Sequence, residues 1–353
     1  MWCWIYAENM TRLGKAFILL VAIGCLLMIA LLANFSHLLN NEPRPSDSKD
    51  SGEVPHLRKL KSKYSKKNIE MRRRVIKLDE ECKKLVKNGS EFRNIQKSKL
   101  DHLIVDDRYK VMYCYVPKVA CTNLKRVFLL LSGKMNETDP LKLKSGDVHA
   151  GFDKYLTYLD TFSAAGIKYR FLHYKKVIFV REPLERVLSA YRNKFVQQGN
   201  DYFKEKFGRK IIKRFRENPS EKSLMKGDDV TFKEFVQYLL DRKTIEQGYN
   251  EHWESFHDLC HPCHIRYNYI GNYETLDDDV NGLLKILEVE DKIQFPDRGD
   301  MYKTLKTEDI LLKFYQELEP QMLTKLWKIY AKDYAIFDYE IPPTLKKLMK
   351  QVH

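Results

Sequence analysis

Residues 113–127 read YCYVPKVACTNLKRV, and the fold turns on what the break at Pro117 and Lys118 joins. Upstream, the run VMYCYV at 111–116 is apolar and rich in β-branched and aromatic side chains, which suits a strand buried on both faces. Proline lacks the N–H a ladder needs, so Pro117 ends the strand. Downstream, Leu124, Val127, Phe128 and Leu131 recur at the i, i+3, i+4, i+7 spacing of a helix packed on a sheet. Lys125 and Arg126 are expected to face away from that sheet, and Gly133 to stop the helix.

A tight loop between strand and helix aims backbone N–H groups at one point, where the helix dipole also favours negative charge. Lys118 can add a full positive charge there, Thr122 and Asn123 can donate further hydrogen bonds, and the small Ala120 lets the backbone approach an anion. The nucleotide-triphosphatase loop, G-x-x-x-x-G-K-[ST], is excluded because this loop has no glycine and its lysine comes first.

A second junction has the same grammar. Residues 175–195, KKVIFVREPLERVLSAYRNKF, pass from an apolar strand through Arg181 into a helix with Pro183 in its first turn. Leu184, Val187, Leu188, Tyr191 and Phe195 form its apolar stripe, while Arg186, Ser189 and Asn193 share another face. If the two strands are neighbours in a parallel sheet, Arg181 and the Lys118 loop meet at the carboxyl edge, where such sheets collect ligands. An arginine fork and a serine two turns further on can then grip one phosphate.

The rest of the chain limits what that ligand serves. Its 353 residues are 44% hydrophobic, enough for one sizeable α/β domain, and Lys+Arg of 62 against Asp+Glu of 48 gives a net charge of +14. Such charge favours a polyanionic partner. The uncharged run AFILLVAIGCLLMIALLANF at 16–35 has the length of a membrane-spanning helix, with Arg12 and Lys15 just before it. The positive-inside rule then gives a cytoplasmic tail at 1–15, a type II anchor at 16–35 and everything beyond it lumenal. A lumenal domain makes nucleic acid an unsuitable partner. Residues 36–98 are polar, proline-bearing and then highly charged, and are expected to be a stem before a folded domain at 99–353.

Asn88 (N-G-S) and Asn136 (N-E-T) are possible glycan acceptors in a lumen. Cys82, Cys114, Cys121, Cys260 and Cys263 follow the span, so one must stay unpaired within the chain. The sequence CHPCH at 260–264 has no second ligand pair for zinc, and a local Cys260–Cys263 disulfide is expected. The acidic run ETLDDD at 274–279, the one group that could serve a kinase metal, reads as a helix N-terminus.

The two junctions together resemble the Golgi carbohydrate sulfotransferases, nearest the chondroitin and dermatan 4-O-sulfotransferases. The likeness extends through GDDVTFKEFVQYLLD, NEHWE, LCHPCHIRYNYIGNYETLDDD and DYAIFDYEIP, from about Leu100 to Tyr339. One departure is Leu124, where the family pattern carries tryptophan; on the apolar helix face it is expected to alter packing. The resemblance implies a P-loop-like α/β fold with a central parallel sheet flanked by helices, and 3′-phosphoadenosine 5′-phosphosulfate as sulfuryl donor. Pro117, Lys118, Val119, Ala120, Cys121, Thr122 and Asn123 would hold the 5′-phosphosulfate. Arg181 and Ser189 would hold the 3′-phosphate, with Glu182, Pro183, Leu184, Glu185, Arg186, Val187 and Leu188 completing that segment. The implied acceptor is the 4-hydroxyl of N-acetylgalactosamine in chondroitin or dermatan, at the Golgi membrane.

In-line transfer needs charge stabilised on the departing phosphate, a role that falls to Lys118, and a base for the acceptor hydroxyl. Related enzymes place a base over the donor, and His149 in GDVHAGF lies between the two binding elements; His252 in NEHWE is next. No metal is expected. The basic segment KEKFGRKIIKRFR at 204–216 would suit an anionic polysaccharide. A different glycan acceptor, such as terminal N-acetylgalactosamine or glucuronic acid, is the alternative, as is a non-catalytic glycosaminoglycan-binding protein. The latter would not need two junctions tuned to one phosphate-rich donor.

Overall fold

The computed structural model describes residues 55–85, 95–199, 201–296 and 307–350. The tail, the apolar run at 16–35 and Asn88 lie outside these residues, while Asn136 stands on an exposed loop. Five strands, β1 (Leu103–Asp106), β2 (Val111–Cys114), β3 (Thr157–Tyr158), β4 (Lys175–Val180) and β5 (Tyr269–Asn272), form one sheet in the order β3-β1-β2-β4-β5. β2, β4 and β5 run parallel, whereas β1 is antiparallel to both β2 and β3. The sheet is therefore mixed, and not the parallel sheet expected. Only residues 107–110 join β1 to β2, and so short a connection can make a hairpin but not a crossover.

The five helices that matter most for the site are α1 (Pro55–Leu85), α2 (Cys121–Leu131), α3 (Ala164–His173), α4 (Pro183–Tyr191) and α5 (Leu276–Ile286). Every residue of β2 is wholly buried, as the apolar run demands, and Leu124, Val127, Phe128 and Leu131 of α2 pack into the same core. α2 ends at Leu131 with Ser132 as its C-cap, followed by Gly133 at φ 66°. Gly271 of β5 is required by close approach, since a Cβ there would lie 2.2 Å from the Phe179 ring on β4. A second core gathers α4, helix Phe232–Leu240 and the C-terminal helices around wholly buried Trp253. The acidic run begins α5, with Asp277, Asp278 and Asp279 in its first turn.

The stem and the cysteines differ from expectation. From Ile69 onward α1 belongs to the folded body, and the compact unit runs Lys63–His353, so the boundary expected at 98–99 moves upstream. Leu78 is buried, and Arg74 makes a buried ion pair with Asp279 at 2.7 Å. Arg74 also donates to the Ile270 carbonyl at 3.0 Å, while the Ile270 N–H donates to Met71 Sδ at 3.2 Å. β5 is an edge strand, and these two contacts use backbone groups that would otherwise be open to another strand.

Cys82 pairs with Cys263 and Cys114 with Cys260, in place of the local bridge. Cys260 ends one short helix and Cys263 lies in the next, with left-handed His261 (φ 44°) between them, so one thiol meets β2 and the other α1. The Cys82–Cys263 bridge spans 181 residues. Cys82→Ser is expected to lower unfolding free energy by about 2–5 kcal/mol, read from denaturant midpoints without reductant.

Candidate active site

Parallel pairing of β2 with β4, with Cys114 opposite Ile178, and of β4 with β5, with Val180 opposite Asn272, brings three strand ends to one edge. The 117–123 loop, Arg181 and Tyr273 leave the sheet there. The loop turns without glycine by placing Lys118 (φ 73°) and Ala120 (φ 52°) in the left-handed region. Each such residue costs on the order of 1–3 kcal/mol and persists only where its surroundings enforce it. Two arginines do so. Arg186 donates to the Pro117 carbonyl at 3.0 Å and Arg181 to the Lys118 carbonyl at 3.3 Å.

α2 starts at Cys121 with Ala120 as its N-cap, and Ala120 offers no side-chain cap. Among the described residues its first turn thus has no side-chain cap, the arrangement in which an anion can take the amides. α4 differs, because the Glu182 carboxylate caps it by accepting from the Glu185 N–H at 2.6 Å. The other Glu182 oxygen accepts from the Tyr334 hydroxyl, and burial pushes this carboxyl up to about 7.

A cavity of about 100 Å³ is lined by Lys118, Ala120, Cys121, Thr122 and Asn123 together with Arg181, Ser189 and Tyr273, whereas Val119, also expected at the donor, is wholly buried in the core. The structure thereby brings together both expected phosphate elements. Arg181 is 3% exposed, lies over the Tyr273 ring at 4.2 Å and pairs with Glu185 at 3.3 Å. Its Nε is buried without a hydrogen-bond partner among the described residues. A buried charged donor so placed is what an anion would satisfy.

The rest of the second segment supports from behind. Leu184, Val187 and Leu188 are wholly buried in the second core, and Pro183 forms the first turn of α4. Arg186 is 1% exposed and donates to the carbonyls of Pro117, Glu251 (2.8 Å) and Glu254.

A larger cleft of about 630 Å³ adjoins the loop's other side. Lys118, Cys121 and Thr122 line both spaces, while His149 and His252 line only the cleft. His149 Nε2 is 2.9 Å from Thr122 Oγ1. His252 is bonded through Nδ1 to Asn250 Oδ1 at 2.7 Å, and burial, with repulsion from Lys194, Lys118 and Arg186, holds it down to about 2. Lys118 faces the cleft but sits deep in the fold. Burial, then repulsion from Lys194, Arg181 and Arg186, lowers it to about 8.

Several residues in or behind the cleft escaped the sequence reading. Lys125 and Arg126, expected to face away, are 5% and 3% exposed. The Lys125 stem carries its ammonium over the Tyr115 ring at 3.9 Å, whereas Arg126 is spent on the Leu143 carbonyl (2.8 Å) and Asn123 Oδ1. Asn193 and Lys194 enter the cleft because α4 continues into a π-helical turn, Arg192–Val196, which re-aims its side chains. The shared face of Ser189 and Asn193 was the one usable signal. In the basic segment, Lys210 bonds Gln247, Arg214 bonds Asp241, and Arg216 bonds Glu234 and Asp229. Those cations serve the fold first. Among the described residues no cluster of three or more His, Cys, Asp or Glu could hold a metal ion.

The sulfotransferase family profile matches residues 101–340. Carbohydrate sulfotransferase 11 of Rattus norvegicus is 43% identical over 248 residues, covering 70% of this chain and 69% of its own. The Danio rerio protein of that name is 38% identical over 268 residues, covering 76% and 75%. Carbohydrate sulfotransferase 14 of Homo sapiens is 37% identical over 253 residues, covering 71% and 64%. No solved structure matches significantly. With its profile match spanning both strand-to-helix junctions, the chain belongs to the sulfotransferase family.

Proposed function

We propose that this enzyme transfers a sulfuryl group from 3′-phosphoadenosine 5′-phosphosulfate to the 4-hydroxyl of N-acetylgalactosamine in chondroitin or dermatan, within the Golgi lumen. The observation that carries this reading is the shared wall, because Lys118, Cys121 and Thr122 border both the phosphate cavity and the cleft. A donor gripped by its phosphates on one side would meet an acceptor entering from the other. The names of the relatives support a carbohydrate acceptor. The likeness of both junctions to the chondroitin and dermatan enzymes supports the finer assignment. A P-loop-like cradle fits the uncapped start of α2 and the orphaned Arg181 Nε. Golgi placement follows from the apolar run at 16–35 and the acceptor class, and the two disulfides suit an oxidising lumen.

The bound donor supplies a sulfuryl group on a phosphate leaving group. Lys118 sets positive charge beside the departing phosphate, as its position between both spaces allows. His149, held by Thr122, takes the proton of the sugar hydroxyl as that oxygen bonds to sulfur. His252, neutral throughout the physiological range, is the weaker base and is positioned by Asn250.

The test is a secreted fragment from residue 60 onward, given labelled donor and chondroitin, desulfated dermatan or heparosan, followed by disaccharide analysis. Label at the 4-position of N-acetylgalactosamine supports the assignment, whereas label elsewhere keeps the reaction and changes the acceptor. His149→Ala is expected to lower kcat by about 10²–10⁴-fold while adenosine 3′,5′-bisphosphate still binds. Unchanged turnover would remove His149 as the base.

A further inference from the structure

α4 runs on into a turn that a regular helix would not make. The Gln197 N–H donates to the Arg192 carbonyl at 2.9 Å, an i→i+5 bond that closes the π-helical turn Arg192–Val196. Such turns are rare and gather at functional sites. Ser189 borders the phosphate cavity and Lys194, five residues on, enters the cleft beside it. Regular α-helical spacing would set the two about 140° apart around the axis, and the wider turn narrows that angle.

Lys194 is placed where its charge is unfavourable. It is half-buried, and it exerts the largest repulsion on both Lys118 and His252. Its ammonium lies over the Phe203 ring at 4.2 Å and makes no hydrogen bond or ion pair among the described residues. Among the acids that line the cleft, Glu251 draws it, from beyond ion-pair distance. Phe203 is itself buried and stands edge-on to His252, with ring centres 5.0 Å apart. An aromatic face steadies a cation without supplying an acceptor, so the three ammonium donors are left for water or a ligand. An anion in the cleft would reverse the sign of the whole arrangement.

Position indicates which anion. Lys118 borders both spaces, whereas Lys194 borders the cleft and not the phosphate cavity. Lys118 is thus on the side of the departing phosphate, and Lys194 on the side of the arriving hydroxyl. In the transfer, the bond from sulfur to the phosphate oxygen breaks with its electron pair going to the phosphate. The bond to the sugar oxygen forms, and the hydroxyl proton goes to His149. The three other oxygens on sulfur carry negative charge throughout and cross the wall that the two spaces share, where a second cation can hold them.

We propose that Lys194 binds the oxygens of the sulfuryl group from the acceptor side, as a second catalytic lysine beside Lys118. This rests on the donor assignment given above.

The test uses the wild-type chain, K194M and K194R. The first readout needs no acceptor: calorimetric affinities for 3′-phosphoadenosine 5′-phosphosulfate and for adenosine 3′,5′-bisphosphate, which lacks the sulfuryl group. K194M is expected to lose about tenfold on the donor and nothing on the bisphosphate, the latter also reporting an intact fold. The second is single-turnover transfer at saturating substrates, expected to fall about tenfold to a hundredfold in K194M. The factor should be the same on chondroitin and on chondroitin whose carboxylates have been reduced to alcohols, and K194R should recover part of it. Equal losses on donor and bisphosphate would overturn the proposal, leaving Lys194 a structural support. A loss confined to unreduced chondroitin would also overturn it, by assigning the lysine to the acceptor's carboxylate. If the wild-type chain neither binds the donor nor transfers from it, the donor assignment fails and takes this proposal with it. Normal wild-type transfer with an unaffected K194M sinks the proposal alone.

Discussion

Lys118→Ala is expected to lower single-turnover transfer by about 10²–10³-fold, the range for losing one preorganised charge at a developing anion. Donor affinity should fall much less, because Arg181, Ser189 and the α2 amides remain. The same lysine gives a pH signature. Burial and nearby cations depress it from 10.5 to about 8 in the free protein, so the fold disfavours its charged form. The resulting destabilisation is complete below about pH 8 and is relieved as pH rises towards 10.5, through the window in which the unfolded chain binds more protons. An anionic donor acts in the opposite sense by raising the lysine again. Affinity for adenosine 3′,5′-bisphosphate should therefore be greatest below about pH 8 and weaken as pH climbs above it, by at most tenfold per unit. In Lys118→Ala that slope should flatten. Calorimetric titrations from pH 6.5 to about pH 9.5 would check this, and an equally steep slope in the variant would assign the titration to another group.

Arg186→Met should be the most damaging change outside the chemistry. The guanidinium joins the 117–123 loop at Pro117 to the segment carrying His252, through the carbonyls of Glu251 and Glu254. Its loss strands three carbonyls and withdraws the support that holds two left-handed residues in a glycine-free loop. Removing a buried charge also removes its desolvation cost, so the net effect is less than three charge-assisted bonds would sum to. A destabilisation of about 3–5 kcal/mol is expected, with donor affinity falling at least about tenfold. Arg186→Lys keeps the charge but not the planar fork, and should restore only part of either quantity. Urea midpoints and calorimetry measure both. A wild-type midpoint in Arg186→Met would show that the loop geometry is held by other contacts.

The two strand-to-helix junctions were legible because period and punctuation agree there. A fully apolar strand, a proline and an i, i+3, i+4 stripe specify the local path, and neighbouring parallel strands did the rest. The antiparallel half of the sheet was not legible, since β1 is short and the turn after it carries no strong hairpin dipeptide. Arg186 and Lys125 mark the limit for side chains. Both occupy positions that helical spacing assigns to a polar face, yet both are buried, because that face meets backbone carbonyls in one case and tyrosine rings in the other. Spacing tells which way a residue points along its own helix, not what the neighbouring loop brings to it. The cysteines failed for the same reason, because partners 181 and 146 residues away leave no mark at short range.

The packing of α1 bears on where the chain can be cut. A fragment started at residue 99 would lose Cys82, leaving Cys263 as an odd thiol, and would lose the Arg74 and Met71 contacts that cover β5. Exposed strand edges recruit one another, and an odd thiol in a secretory compartment finds a partner. Such a fragment would be recovered as mixed-disulfide aggregates, and its silence in an assay would say nothing about catalysis. Cutting upstream of Ile69, as at residue 60, keeps the edge and the bridge together.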